Sequence, residues 1–254
     1  CMVAFAVGVT NVLKNKGLVP DMAAGLSLGE YSALYAAGVF EAQQVISLVA
    51  FRGKAMAEAV VDRACKMAAV INLEREKVQE CCEKAHQEFA GQALNVVEPT
   101  NYNCPGQIVI SGDEAPVDRA IELLMEAGAR RCIPLNVSGP FHSAMLEEAG
   151  EKLADVLEKV TISELQIPYV TNVTAEFVND HQKIRSLLAK QISSPVKWQQ
   201  SVEAMIAEGV DTFVEIGPGK TLAGFMRKIN RNVKVYNVQT IEYIEKVVQE
   251  CSRK

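Results

Sequence analysis

The sequence predicts an α/β fold: a parallel sheet flanked by helices, with a smaller unit of strands and helices inserted into it. Three observations carry that prediction. Strand-like runs alternate with helical ones over most of the chain, the pattern of parallel strands joined by helical crossovers. Residues 66 to 137 depart from it, with the order strand–helix–strand–strand–helix–strand. The composition, 254 residues at 49% hydrophobic and 22% charged, suits a globular chain with a sizeable core and excludes disorder.

The first element is a helix, because Phe5, Val9, Val12 and Leu13 recur at helical spacing and Gly17 stops the run. A short segment then leads into GLSLGEYSALYAAG, helical from Glu30 to Ala37 and closed by Gly38. A longer helix follows over residues 41 to 59, with Val45, Leu48, Val49, Ala55 and Ala59 on one face. Arg52 interrupts that stripe where an apolar residue belongs, and a buried guanidinium needs a partner.

The inserted unit opens with the strand KMAAVINL, then a helix over residues 74 to 89 that turns Val78, Cys81, Cys82, Ala85 and Phe89 inward. QALNVVEP and QIVISG read as strands joined by the turn-rich TNYNCPG. Asp113 is placed to cap a helix striped by Val117, Ala120, Ile121 and Leu124, and RRCIPLNV completes a ferredoxin-like arrangement. Beyond it come a helix over residues 144 to 160, the strand IPYVTNV, a helix over residues 181 to 192 and a further helix. The strand DTFVEI, the turn GPGK, a helix from Thr221, the strand VKVYNV and a terminal helix follow. This divides the chain into a large domain, residues 1–63 and 138–254, and an insert, 64–137.

Twenty-six Lys and Arg against 31 Asp and Glu give a formal charge of -5, which argues against general nucleic-acid binding. No run of eighteen apolar residues suggests a membrane-spanning helix. The seven cysteines are odd in number and form no CxxC, as in a reducing compartment, and the three histidines are scattered, so no metal site is expected. The chain begins with Cys1 inside a helical pattern and reads as lacking its true beginning.

Gly25-Leu26-Ser27-Leu28-Gly29 is a G-x-S-x-G followed at once by a helix. In such a nucleophile elbow the serine occupies a tight strand-to-helix turn, and the amide of Leu28 is placed to stabilise an oxyanion. The base is then sought among three histidines. His86 lies on a charge-rich helical pattern, and His181 follows Asp180 in a polar run. His142 stands in VSGPFHSAM, where the insert hands the chain back, and is the better candidate. No acid is tied to it by a motif, so a main-chain carbonyl is a candidate third member. GPGKT fails as a phosphate loop, since residue 214 is Val where that motif needs Gly. Lys220, Arg227, Lys228, Arg231 and Lys234 form a cationic run without acids, either a solvated surface or a docking site for an acidic partner.

Taken together, GLSLGEYSALYAAG, FRGKAM, NYNCPGQIVISG, VSGPFHSAM, QISSPVKW and FVEIGPGKTL resemble, in order, the malonyl-CoA:acyl-carrier-protein transacylases of fatty-acid synthesis. The resemblance implies a hydrolase-like large domain with a ferredoxin-like insert. It implies Ser27 as the malonylated nucleophile, His142 as its base and the main-chain carbonyl of Gln191 as the group that holds the imidazole. Arg52 would pair with the free carboxylate of the malonyl group, and Asn103 would border the acyl pocket in a loop of the insert. No cofactor is implied beyond the coenzyme A thioester substrate. The implied partners are malonyl-CoA and an acidic acyl carrier protein, with no nucleic acid, no membrane and a monomeric state. Leu26 stands where many members have His. A leading segment, whose loop supplies the second oxyanion amide, would precede Cys1; losing one such donor costs about 3 kcal/mol in the transition state. The expected location is the cytoplasm, or a plastid or mitochondrion if that segment carried a transit peptide. Three alternatives stay open: a serine hydrolase or thioesterase using Asp180 and His181, a non-catalytic carrier-protein-binding fragment, and an acyltransferase module of a polyketide synthase.

Overall fold

The computed structural model describes residues 1–137 and 139–251; Ser138, inside the VSGPFHSAM motif, and residues 252–254 lie outside the described residues. The chain divides into two compact units. One comprises Cys1–Val49, Val160–Ile184 and Gln199–Lys254, the other Ala50–Lys159 and Arg185–Trp198.

In the first unit, α1 (Met2–Asn15) buries Val3, Ala6, Val7, Val9 and Leu13. Val12, expected on that face, is exposed instead. Val9 and Leu13 pack with Val238, Ile244 and Val247. β1 (Ala23–Ala24) leads into α2 (Gly29–Ala36). β1 pairs in parallel with β6 (Tyr169–Val170), in register Ala23↔Tyr169 and Ala24↔Val170. Farther on, β7 (Thr212–Ile216) and β8 (Lys234–Val238) pair in parallel around the crossover helix α9 (Thr221–Ile229), and α10 (Ile241–Cys251) ends the described chain. The expected parallel sheet is represented among the described residues by two separate two-stranded parallel ladders. The β7–β8 ladder closes through the single crossover helix α9, whereas the β1–β6 ladder joins segments far apart in the chain and pairs only two residues per strand. Glu215 tethers the start of α9: its two carboxylate oxygens accept the amides of Leu222 and Ala223, both at 3.0 Å.

The second unit is built on a four-stranded antiparallel sheet. Its strands are β2 (Cys65–Ile71), β3 (Val97–Cys104), β4 (Gln107–Asp113) and β5 (Arg131–Pro134), in the spatial order β3-β4-β2-β5. The period of two in β2 separates Ala68 and Val70 from Met67 and Ala69. Ala68 and Val70 pack with Val78, Cys82 and Ala85 of α4 (Arg75–Glu88) and with Val117, Ala120 and Leu124 of α5 (Glu114–Glu126). Met67 and Ala69 meet Val109, Leu135 and Phe141 on the other face. Leu124 and Val117 are wholly buried, each stabilising the unit by about 1.5–3 kcal/mol.

Two local expectations are corrected here. TNYNC is strand, not turn: β3 runs to Cys104, and only Pro105 and Gly106 turn the chain. Pairing overrides local propensity, since Asn101 and Tyr102 are held by β4 on one side and Val196 on the other, with irregularities in register after Pro99 and Tyr102. Asp113 stands at the N-cap of α5 but makes no side-chain cap bond. Its carboxylate instead accepts two bonds from Arg63, at 2.6 and 2.8 Å, and the amide of Val96 at 2.9 Å. A bidentate guanidinium outcompetes a single amide.

The remaining helices carry site residues or follow them: α3 (Ala42–Glu58), α6 (Glu147–Leu157), α7 (Ile184–Gln191) and α8 (Trp198–Ala207). Among the described residues no helix is long and apolar enough to cross a membrane.

Candidate active site

Ser27 sits on the turn between β1 and α2 with φ +52°, a left-handed conformation rare outside glycine and costly for a residue with a side chain. The turn closes through Gly29 N–H to the Leu26 carbonyl at 2.9 Å and Glu30 N–H to the Ser27 carbonyl at 3.1 Å. Gly25 makes this tightness feasible, because a Cβ there would lie 2.0 Å from the carbonyl carbon and oxygen of Gly29. The second glycine of the motif is under no such demand; a Cβ at Gly29 meets nothing within 4 Å.

The amides around the elbow are nearly all spoken for. Ser27 N–H donates to Oδ1 of Asn172 at 2.6 Å, and Tyr31 N–H to the Leu28 carbonyl at 3.3 Å. The amide of Leu28 is the one from Ser27 to Tyr31 with no acceptor among the described residues. It opens the N-terminus of α2, where helix geometry leaves donors unused and favours negative charge.

In the second unit His142 is 2% exposed, also left-handed at φ +65°, and lies just before a 3-10 turn at Ala144–Leu146. Its loop is pinned on both sides. Ser143 Oγ donates to the Pro140 carbonyl at 2.7 Å, and Glu98 of β3 accepts the Ala144 amide at 2.6 Å. His142 Nδ1 lies 2.9 Å from the main-chain oxygen of Gln191, the last residue of α7. A carbonyl can only accept, so Nδ1 carries the proton and Nε2 is the basic nitrogen. Burial, and then the nearby charge of Arg52, push the imidazole down to about 4, against the opposing pull of the main chain at Gln191 and Ser194. Arg52 on α3 is 6% exposed, and its Nη2 donates to Oε1 of Gln191 at 3.2 Å.

His142, Gln191 and Arg52 thus come together in one unit, and Ser27 and Leu28 in the other. Asn103 is buried within β3 rather than in a loop. Lys220, Arg227, Lys228, Arg231 and Lys234 are all exposed on α9 and its flanks. The other two histidines are engaged locally: His86 Nδ1 is 2.7 Å from the Asn95 carbonyl, and His181 opens a 3-10 turn capped by Asp180.

An acyl transferase domain model matches residues 1–249. The malonyl CoA-acyl carrier protein transacylase of Bacillus subtilis is 43% identical over 244 residues, covering 96% of this chain and 75% of the relative. The chain belongs to the malonyl-CoA:acyl-carrier-protein transacylase family. A crystal structure of MCAT from Streptococcus pneumoniae matches with TM-score 0.91 at 43% identity, covering 98% of this chain and 79% of that one. A type II PKS acyl-carrier protein in complex with its malonyl-transacylase matches with TM-score 0.92 at 37% identity, over the same shares.

For this member of the transacylase family, sequence reasoning missed four residues that shape the site. Asn172 and Glu30 brace the elbow, and Ser143 and Glu98 pin the histidine loop. Asn172 in YVTNV and Glu30 in GEYSAL had a signal, since each is a strongly polar residue within a stretch that otherwise reads as part of the core. Both are fully buried. Glu98 had none, because its partner lies 46 residues away.

Proposed function

We propose that this chain transfers the malonyl group of malonyl-CoA to the phosphopantetheine thiol of an acyl carrier protein through a malonyl-Ser27 intermediate. The observation that carries the reading is the left-handed Ser27 at the mouth of α2, in a chain 43% identical to a named malonyl transacylase. Ser27 Oγ attacks the thioester carbonyl as Nε2 of His142 takes the hydroxyl proton; the C–S bond breaks, and coenzyme A leaves as its thiol with that proton. The carrier thiol then attacks the ester, His142 takes the thiol proton, and Oγ departs and recovers it. The Leu28 amide stabilises the oxyanion in both steps. A thioester is already activated, so the reading calls on no cofactor.

Gln191 holds the imidazole through its carbonyl, and Arg52 pairs with the free malonyl carboxylate, a role suited to a buried guanidinium. Asn103 borders the acyl group. Lys220, Arg227, Lys228 and Arg231 meet the acidic carrier. We also read residues 64–137 as a ferredoxin-like insert within a hydrolase-like domain of residues 1–63 and 138–254; the β3-β4-β2-β5 order with two helices packed against one sheet face supports this.

Intact-mass measurement after exposure to malonyl-CoA tests the function. The expected result is one malonyl adduct, mapped to Ser27 and absent from Ser27→Ala. Carrier binding with no adduct would overturn it in favour of a non-catalytic binding module.

A further inference from the structure

Asn172 lies two residues beyond β6, the strand beside β1, and so stands level with the elbow that follows β1. Its side chain is wholly buried and engages the main chain on both sides of Leu26. Oδ1 accepts from Ser27 N–H at 2.6 Å, and Nδ2 donates to the Gly25 carbonyl at 2.7 Å. A carboxamide carries the same donor and acceptor as a peptide group. It therefore continues the parallel ladder where main-chain pairing has stopped and Ser27 has turned left-handed. Behind it, Asn172 N–H reaches Oε2 of the buried Glu30 at 3.3 Å, on the helix that begins at the elbow.

We propose that Asn172, braced by Glu30, is a positioning residue for the nucleophile. The assignment rests on the reading of Ser27 given above. By clamping the Gly25 carbonyl and the Ser27 amide, Asn172 fixes the two peptides that lead into Ser27. The second of them sets one side of the Ser27 backbone and so the direction of its side chain. The Leu28 amide, one peptide further on, is oriented with them. The clamp touches no donor substrate, so its loss slows acylation and leaves donor binding unchanged.

Acylation by malonyl-CoA, followed by intact mass at several donor concentrations, tests this. Asn172→Ala should lower the acylation rate constant 10- to 100-fold, with the half-saturating malonyl-CoA concentration changed less than twofold. Asn172→Asp keeps an acceptor for Ser27 N–H but donates to the Gly25 carbonyl only while its carboxyl is protonated. The titratable groups around that position include Glu30 and the buried Tyr31 on α2 and Tyr169 on β6, the last held protonated by burial and by Glu30. The Glu30 charge favours the protonated form of the introduced carboxyl. Acylation by Asn172→Asp should therefore rise severalfold from pH 8 to pH 5, a range over which His142 stays neutral and the unsubstituted chain shows no rise. If Asn172→Ala does not fold, the Asn172→Asp profile decides alone. An Asn172→Asp profile parallel to the unsubstituted one overturns the assignment, as does an unchanged rate in a folded Asn172→Ala. If the unsubstituted chain takes no malonyl group on Ser27, the nucleophile reading itself fails and takes this assignment with it.

Discussion

The main-chain oxygen of Gln191 stands 2.9 Å from Nδ1 of His142, and this leaves Nε2 as the only nitrogen of the ring able to take a proton. The side chain of the same glutamine accepts from Arg52 at 3.2 Å. One residue at the end of α7 thereby aligns a neutral base and a buried cation. Their closeness also explains why the imidazole resists a proton: burial disfavours its charged form, and the guanidinium adds to that.

The sign of the stability effect follows. Folding pulls His142 down from 6.5 to about 4, so the unfolded chain binds the extra proton between those values. Native stability contributed by the neutral ring is complete above pH 6.5 and is lost as pH falls toward 4. The loss is about 3 kcal/mol, at 1.36 kcal/mol per pH unit. Urea denaturation of the unsubstituted chain and His142→Gln at pH 7.5 and 4.5 checks it. The difference in stability between the two pH values should shrink in the variant, and equal differences would show that other groups control the pH response.

Arg52 should select for a dicarboxylic donor. Arg52→Ala is expected to cut acyl transfer from malonyl-CoA by 100-fold or more while transfer from acetyl-CoA falls less than fivefold. Parallel measurements with the two donors decide. Equal losses would mean that the side chain serves only to hold Gln191.

The two glycines of the elbow should behave differently. Gly25→Ala drives a Cβ to within 2.0 Å of the Gly29 backbone and should cost at least about 2 kcal/mol, with loss of Ser27 acylation. Gly29→Ala has open space and should be neutral or stabilising by up to about 1 kcal/mol. Thermal melting and malonyl labelling of both variants provide the comparison; like effects at both positions would contradict this geometry.

The cationic run should act on encounter with the carrier and leave the chemical step alone. Arg227→Glu with Arg231→Glu should raise the apparent KM for an acyl carrier protein several-fold at low salt and flatten its ionic-strength dependence. Ser27 acylation by malonyl-CoA should be unchanged. Unaltered carrier kinetics at low salt would place the docking surface elsewhere.

Much of the candidate site was legible from local pattern. An elbow is a short contiguous device, and G-x-S-x-G before a helix states it. Arg52 announced itself by breaking an apolar stripe, because burying a guanidinium is costly enough to need a reason. The Gly-Pro-Phe-His junction singled out one histidine of three. The braces were not legible in this way. Glu98 reaches Ala144 across 46 residues, and Asn172 reaches Ser27 across 145, separations that no periodicity spans.

The sequence alone determined the element types and nearly all of their order, since helical and strand periods depend on near neighbours. It also determined the identities of Ser27, His142 and Arg52 as the residues to watch. Only the tertiary structure decided that TNYNC is a strand, because its hydrogen bonds come from β4 and Val196. It alone sent Asp113 to Arg63 instead of to its own helix, since the guanidinium lies 50 residues back in the chain. It likewise set the left-handed backbones of Ser27 and His142 and the braces that hold them. Such strained conformations persist only where surrounding contacts over-determine them, and those contacts are long-range.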